Sequence, residues 1–176
     1  MIDNIVALDL EMNQPSGTII KVGVAVGSLK SKTLLFKKGY IINVGEVLDP
    51  RIIDLCGISQ LDIHAGISLR ESYEQLKTIM AQFECFMNPL TWGGGDSETY
   101  RSQLGNPDRW IFGRRWIDVK TLFISRRIAQ GLSVQGGLAR SMTKMGLAFE
   151  GRKHRADDDA ANTFKMYCRL LEEFKQ

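Results

Sequence analysis

The strongest chemical pattern of this sequence is a set of acidic residues and one histidine. Asp9 and Glu11 stand two positions apart, directly after the apolar residues 5–8. Residues i and i+2 of a β-strand point to the same face, so these two carboxylates would meet at the end of a buried strand. They repel each other there unless a cation neutralises them. The alternative is a strand that runs out into solvent, where both acids are harmless.

A second group of acids follows His154 near the C-terminus. Asp157 and Asp158 would open a helix, where the helix dipole favours negative charge and is a sufficient explanation for them. Asp159 differs because it falls near the apolar stripe of that helix, beside two alanines that allow close packing against a sheet. His154 precedes the helix on a basic loop. A loop histidine near carboxylates can accept a proton at neutral pH.

Asp96 is a third candidate and follows three consecutive glycines. Taken alone, it is typical of a helix N-cap. Together with the acids at 9, 11 and 159 and with His154, it predicts a site for a hard cation assembled from separate elements. Oxygen ligands, and the lack of a paired-cysteine pattern, favour Mg²⁺ or Mn²⁺ over zinc.

The elements that must position these residues begin with three strands. We expect strands at 5–11, 18–26 and 34–44, which follow one another closely and predict an antiparallel meander. Residues 69–87 then show helical spacing of apolar positions, and Asn88-Pro89 is expected to end that helix.

Strands and helices alternate in the rest of the chain. We expect short strands at 90–92 and 115–118, each followed by a helix, the first from Asp96 and the second over 119–129. Ser133 is expected to cap a further helix, and the last helix should run over 156–174. Three strands followed by this alternation predict one mixed α/β domain over residues 1–176.

Composition limits the classes of protein that the chain can belong to. It has 176 residues, of which 44% are hydrophobic and 24% charged, which excludes wholesale disorder. Its apolar runs are far shorter than the roughly 20 residues of a membrane span, and we expect neither a span nor a secretory signal. The three widely spaced cysteines indicate neither a disulfide framework nor a zinc pair, so a cytoplasmic location is expected.

The net charge of +3 is distributed unevenly. One basic run contains Arg109, Arg114, Arg115, Lys120, Arg126 and Arg127, and a second contains Arg152, Lys153 and Arg155. A solvated basic surface explains such runs. The functional alternative is a face that binds backbone phosphates, with Arg152 and Lys153 as substrate-binding candidates.

Several ordered motifs give the chain a family resemblance. Residues 7–12 match a DxE motif after a hydrophobic strand, Asp96 matches an acid that opens the helix after the fourth strand, and residues 154–160 match HxAxxDA in full. Residues 55–59 resemble a TGI segment, with Cys56 in place of the usual threonine. The sequence thus resembles the DEDDh exonucleases of the DnaQ-like superfamily, which have a ribonuclease H-like fold.

The resemblance extends over residues 5–171. The segments 117–123 and 149–154 resemble the branch that includes the exoribonucleases trimming histone mRNA and small RNAs. The implied fold is a central mixed five-stranded sheet flanked by helices. The implied activity is metal-dependent 3′–5′ exonuclease action on single-stranded DNA or RNA, releasing nucleoside 5′-monophosphates.

The resemblance also implies a role for each motif residue. Asp9 would bridge two metal ions, Mg²⁺ or Mn²⁺, and Glu11 and Asp159 would complete the ligands. Asp96 would act directly or through water. His154 would take the proton from the attacking water.

Other substrate contacts follow from the same resemblance. Met12 and Asn13 would line the pocket for the terminal nucleotide, and Ile58 would wedge between the last two bases. Trp92 or Trp110 would stack on bases, with simple packing in the core or at its rim as the alternative.

Two other functions remain open at this point. One is an oligoribonuclease-like enzyme that degrades very short RNAs and needs a cramped pocket. The other is a non-catalytic nucleic-acid-binding module, although such modules usually lose the acids that this chain retains. A homodimer is expected because dimers are common among small relatives.

Overall fold

The computed structural model describes residues 2–105 and 110–173. The elements in chain order are β1 (Asn4–Met12), β2 (Ile19–Ser28), β3 (Thr33–Ile41), α1 (Pro50–Cys56), α2 (Gln60–His64), α3 (Leu69–Gln82), β4 (Phe86–Thr91), α4 (Asp96–Leu104), β5 (Ile117–Asp118), α5 (Val119–Ala129), α6 (Leu138–Lys144) and α7 (Ala156–Glu173). None of the helices in the described ranges is long and apolar enough to cross a membrane.

The strands form one mixed sheet in the order β3-β2-β1-β4-β5. β1 and β3 pair antiparallel with β2, which confirms the predicted meander. β4 runs parallel to β1, and β5 runs parallel to β4. The predicted fold class, a five-stranded mixed sheet flanked by helices, is therefore confirmed. β1 lies at the centre of the sheet and carries Asp9 and Glu11.

Alternation along β1 divides the core into two layers. Val6 and Leu8 pack with α3 and α4 on one face of the sheet. Ile5 and Ala7 pack with α5, α6 and α7 on the other. Because side chains alternate along a strand, Asp9 and Glu11 continue the second set and point to the side of α7.

Helix α7 lies unusually close to β2. A Cβ atom at Gly23 would stand 2.0 Å from the Ala156 carbonyl carbon, and one at Gly27 would stand 2.1 Å from the Phe164 ring. Real Cβ atoms do not approach other atoms this closely, so only glycine fits at either position. The contact brings the first turn of α7, including Asp159, to the end of β1.

The predicted helix over 69–87 is too long. α3 ends at Gln82, and Asn88-Pro89 lies within β4 instead of ending a helix. The apolar residues at 83 and 87 fit the helical period by coincidence. Proline is tolerated because the pairing of β4 with β1 is irregular between the Ile5 and Ala7 positions.

The predicted start of α6 at Ser133 is also wrong. The helix begins at Leu138 with Gly137 as its N-cap, while Ser133 accepts hydrogen bonds from Lys144. Helices α1 and α2 were not predicted from the sequence. Their start signals are nevertheless present, since Asp49 caps α1 and Ser59 forms a capping box for α2.

Candidate active site

Three carboxylates meet where β1 ends against α7. One oxygen from each of Asp9, Glu11 and Asp159 lies within 4.8 Å of the others. The strand period places the first two on one face, and the close packing of α7 on β2 delivers the third. The fold thus brings these three predicted site residues together, and their role as metal ligands stays a prediction.

The pKa values of all three carboxyl groups are raised, because the groups are buried and too little positive charge surrounds them. Burial, followed by the charges of Glu11, Asp159 and Asp96, raises the pKa of Asp9 well above its usual range. Burial also raises the pKa of Glu11. The pKa of Asp159 rises to about 6, because of burial and then the charge of Glu11. A divalent cation would relieve this repulsion, so the residues fit Mg²⁺ or Mn²⁺.

Asp96 lies beside the cluster as the first residue of α4. Burial, followed by the charges of Asp118 and Glu11, raises its pKa to about 7. Asp96 is therefore close enough to the cluster for the charge of Glu11 to raise its pKa. Its side chain nevertheless lines a second cavity, of about 320 Å³. The other residues around that cavity include Arg114, Arg115 and Trp116.

The glycine turn before Asp96 is held by Asp118. The Asp118 carboxylate accepts hydrogen bonds from the Gly93 backbone N–H at 3.0 Å and from the Thr121 hydroxyl at 2.6 Å. Gly93 and Gly95 have φ values of 108° and 102°, which disfavour other residues. The glycines before Asp96 therefore serve to turn the chain from β4 into α4.

His154 lies at the rim of the cluster. Its side chain is exposed and lines the same cavity as the three carboxylates. Its φ of 60° is left-handed, and its backbone and its charge both act to lower the pKa of Asp159. The turn therefore places His154 near Asp159 while leaving the imidazole accessible.

The cavity over the carboxylates has a volume of about 610 Å³. Asp9, Glu11 and Asp159 form one side, and residues 137–140 and Lys153 form another. Arg140 was not identified from the sequence, since a single arginine on a short helix belongs to no motif. Within the described ranges its guanidinium group has no hydrogen bond or ion pair.

The predicted base-contacting residues lie in different surroundings. Trp92 lines the cavity and packs against Phe123, with ring centroids 6.0 Å apart. Met12 is half-buried and packs against the core. Trp110 stacks on Tyr73 and Trp116 within an aromatic cluster, so its packing role is the one observed.

Two predicted substrate contacts need correction. The buried Asn13 side chain donates to the Val47 carbonyl at 3.0 Å and accepts from the Asp49 backbone N–H at 2.8 Å, so it anchors a loop instead of lining a nucleotide pocket. Ile58 is only 3% exposed and packs with Ile20 and other apolar residues. A buried side chain cannot wedge between bases in this structure.

The basic residues are also used differently from one another. Lys153 lines the cavity, whereas the Arg152 guanidinium donates to the Asp54 carbonyl at 3.1 Å. Arg126 pairs with Glu173, and Arg127 donates to the Ser133 carbonyl. Arg114 and Arg115 are exposed beside the second cavity. Arg109 lies outside the described residues.

The two acids before Asp159 do more than complement the helix dipole. Asp157 accepts a hydrogen bond from the Lys21 ammonium at 2.6 Å, and Asp158 accepts one from Lys37 at 2.6 Å. Asp158 also accepts from the Arg152 backbone N–H at 2.9 Å. The expectation that the dipole alone accounts for both acids is therefore corrected.

No family model and no curated protein matches the sequence. Solved structures with this fold include the 3′-exonuclease described for 3′-end specific recognition of a histone mRNA stem-loop, with a TM-score of 0.83 and 18% identity over 98% of this chain and 64% of that one. The nuclease domain of 3′hExo, a DEDDh family member bound to rAMP, has a TM-score of 0.80 and 20% identity over 98% and 93%. S. pombe Pop2p, in its Mg²⁺ and Mn²⁺ bound form, has a TM-score of 0.71 and 16% identity over 97% and 84%.

These matches show that the chain has the ribonuclease H-like fold of such nucleases, as the sequence motifs imply. The chain spans 64% of the length of the histone mRNA exonuclease chain. At these identities the likeness concerns the fold, and the chemistry must be argued from the site.

Proposed function

We propose that the chain is a metal-dependent 3′–5′ exonuclease that removes nucleoside 5′-monophosphates from single-stranded DNA or RNA. The observation that carries the proposal is the convergence of Asp9, Glu11 and Asp159, with oxygens within 4.8 Å of one another, in a cavity that His154 also lines. Two pairs of motif residues that lie far apart in the sequence thus support one reaction.

The proposed cofactor is a pair of Mg²⁺ or Mn²⁺ ions. Asp9, Glu11 and Asp159 would hold them, with Asp96 contributing directly or through water. Bound divalent cations supply stabilisation for the attacking and leaving oxygens of a displacement at phosphorus. The raised pKa values of the carboxylates support this assignment, because a cation replaces the protons that these acids otherwise retain.

The chain's own residues would supply the remaining chemistry. His154 is accessible at the rim of the cavity and would accept the proton of the attacking water. Lys153 and Arg140, on other parts of the wall, would bind phosphate oxygens of the terminal nucleotide. Trp92 would offer a flat apolar surface to its base.

The second cavity favours strands longer than a dinucleotide. Asp96 lines it and is near enough to Glu11 for the charge of Glu11 to raise its pKa, and the exposed Arg114 and Arg115 could bind phosphates further along the strand. An oligoribonuclease-like enzyme, in contrast, needs a closed end that stops long strands. Length-graded substrates distinguish the two, since the proposed exonuclease should digest a 20-mer as readily as a 3-mer.

The direct test is digestion of matched 5′-labelled single strands of DNA and RNA and of duplexes, with Mg²⁺ or Mn²⁺ and with chelator. We expect a ladder that shortens from the 3′ end, and no activity in chelator. Immediate release of a labelled 5′ mononucleotide would refute the polarity. Full activity in chelator would refute the metal-dependent mechanism.

Three further properties belong to the same proposal. Residues 1–176 would form one catalytic domain, which would act in the cytoplasm. The cysteines are free, in keeping with a reducing compartment. The homodimer expected from the resemblance stays a prediction, and the mass in solution measured by light scattering tests it.

A further inference from the structure

A buried lysine lies beneath the carboxylate cluster. Lys21 of β2 is the direct cross-strand partner of Glu11 of β1, so both side chains point to the α7 side of the sheet. The Lys21 side chain is 7% exposed, and its ammonium group lies 2.6 Å from an oxygen of Asp157. Lysines are almost never buried without a partner, so its location requires a reason.

The fold provides space for this ion pair. A Cβ atom at Gly39 of β3 would lie 2.5 Å from the Lys21 Cε and 2.8 Å from the paired Asp157 oxygen. Only a residue without a side chain leaves room for both groups. Strands β2 and β3 and helix α7 therefore contribute together to one buried pair.

The charge of Lys21 reaches the carboxylates above it. Burial raises the pKa of Asp9 and of Glu11, and the positive charge of Lys21 acts in the opposite direction on both. Burial also opposes ionisation of Asp157, but its hydrogen bond with Lys21 and the lysine charge outweigh burial, and the pKa is lowered.

We propose that Lys21 is a built-in counter-ion of the carboxylate cluster. It partly neutralises Asp9 and Glu11 before a divalent cation binds, and it limits how tightly that cation binds. Lys21 is a positioning residue, since it acts through the carboxylates. The inference rests on the metal site of the proposed function.

The competing explanation is that the ion pair only clamps α7 to β2. The double variant Lys21→Met/Asp157→Leu separates the two explanations, because it removes both charges while keeping an apolar contact. The acids lose their nearest buried cation. We expect the metal-free Tm to fall, and Mn²⁺ to bind about tenfold more tightly at pH 8, because the Lys21 charge acts on Asp9 and Glu11, whereas the Asp157 charge removed with it is not among those that shift their pKa.

The measurements are Mn²⁺ affinity by calorimetry and Tm with and without Mn²⁺. The Mn²⁺-induced rise in Tm should be larger in the double variant than in the wild type. Lys21→Arg keeps the charge and should retain the wild-type affinity. If the double variant does not fold, Lys21→Gln/Asp157→Asn keeps a neutral hydrogen bond and carries the same expectation.

The matched control is Lys37→Met. Lys37 pairs with the neighbouring acid Asp158 in the same helical turn, but its charge is not among those acting on Asp9, Glu11 or Asp159. This variant should leave the Mn²⁺ affinity unchanged.

If a folded double variant at Lys21 and Asp157 bound Mn²⁺ as tightly as the wild type or more weakly, the counter-ion role would be overturned. The remaining explanation would be that the ion pair only holds α7 against β2. The metal site itself would instead be refuted if the wild-type protein bound no Mn²⁺, or if its Mn²⁺ binding were unaffected by Asp9→Asn. The two failures are therefore distinguishable.

Discussion

Three consecutive acids in the first turn of α7 have very different surroundings. Asp157 and Asp158 each accept a hydrogen bond from a lysine of a neighbouring strand. Asp159, the next residue, meets Asp9 and Glu11 instead. The pKa of Asp157 is lowered, while that of Asp159 is raised to about 6. Acidity alone therefore does not predict a functional site, whereas acids that the fold brings together with too little neutralising charge do predict one.

The largest expected effects are a loss of activity on substitution of Asp159 and a loss of stability on substitution of Asp157. Asp159→Asn is expected to reduce exonuclease activity to background, because a metal ligand is lost, while the metal-free Tm stays equal or rises as repulsion is relieved. Asp157→Asn should instead lower the free energy of unfolding by about 3–5 kcal/mol, the usual cost of breaking a buried pair. It should retain measurable activity in its folded fraction. Turnover and chemical denaturation of both variants test this contrast, and equal behaviour would contradict it.

The second-largest effect on turnover is expected at His154, which lines the cavity of the three carboxylates. His154→Ala should lower turnover by about 10²–10⁴-fold, the usual contribution of a general base. Since its side chain is exposed, Tm and Mn²⁺ affinity should not change. Arg155→Lys, at the adjacent exposed position, keeps the positive charge that faces Asp157 and is the control for the loop. If the histidine variant melts much earlier but keeps near-normal turnover per folded molecule, the residue is structural.

The raised pKa values of Asp159 and Asp96 should also determine how the stability of the metal-free protein depends on pH. With pKa values of about 6 and about 7, Asp159 and Asp96 hold protons in the folded protein that the unfolded chain has already released. Stability of the metal-free protein should therefore fall as pH rises from about 5 to about 8. Saturating Mn²⁺ should remove this fall. A metal-free Tm that rises throughout this range would contradict the assignment.

The smallest effect is expected at Arg140, which sequence reasoning missed. Arg140→Gln should weaken binding of a short single strand in Ca²⁺ a few-fold, with the slope of log affinity against log salt smaller by about 1. Arg70→Gln, an exposed position on α3 across the sheet, is the control. An unchanged salt slope would show that Arg140 does not contact phosphate.

The sequence predicted what depends on local pattern and motif. The period of β1 placed Asp9 and Glu11 on one face, and the stripe of α7 correctly set Asp159 apart from the two acids before it. The ion pair between Lys21 and Asp157 could not be predicted from the sequence, because the two residues are 136 positions apart and no sequence pattern links them. The burial of Ile58 likewise depends on how helices α1 and α2 fold over Ile20. Short helices and long-range pairs are set by tertiary packing, which a single sequence shows only indirectly.

The space at Gly39 has a consequence for how this chain diverges from its relatives. A side chain at position 39 would collide with Lys21 and Asp157 together, and neutralising Asp157 leaves the buried Lys21 without its ion-pair partner. Substitutions at these three positions should therefore be inherited as a set. Homologues without the acid at position 157 should also lack the lysine at position 21, and larger residues at position 39 should occur only where both charges have disappeared.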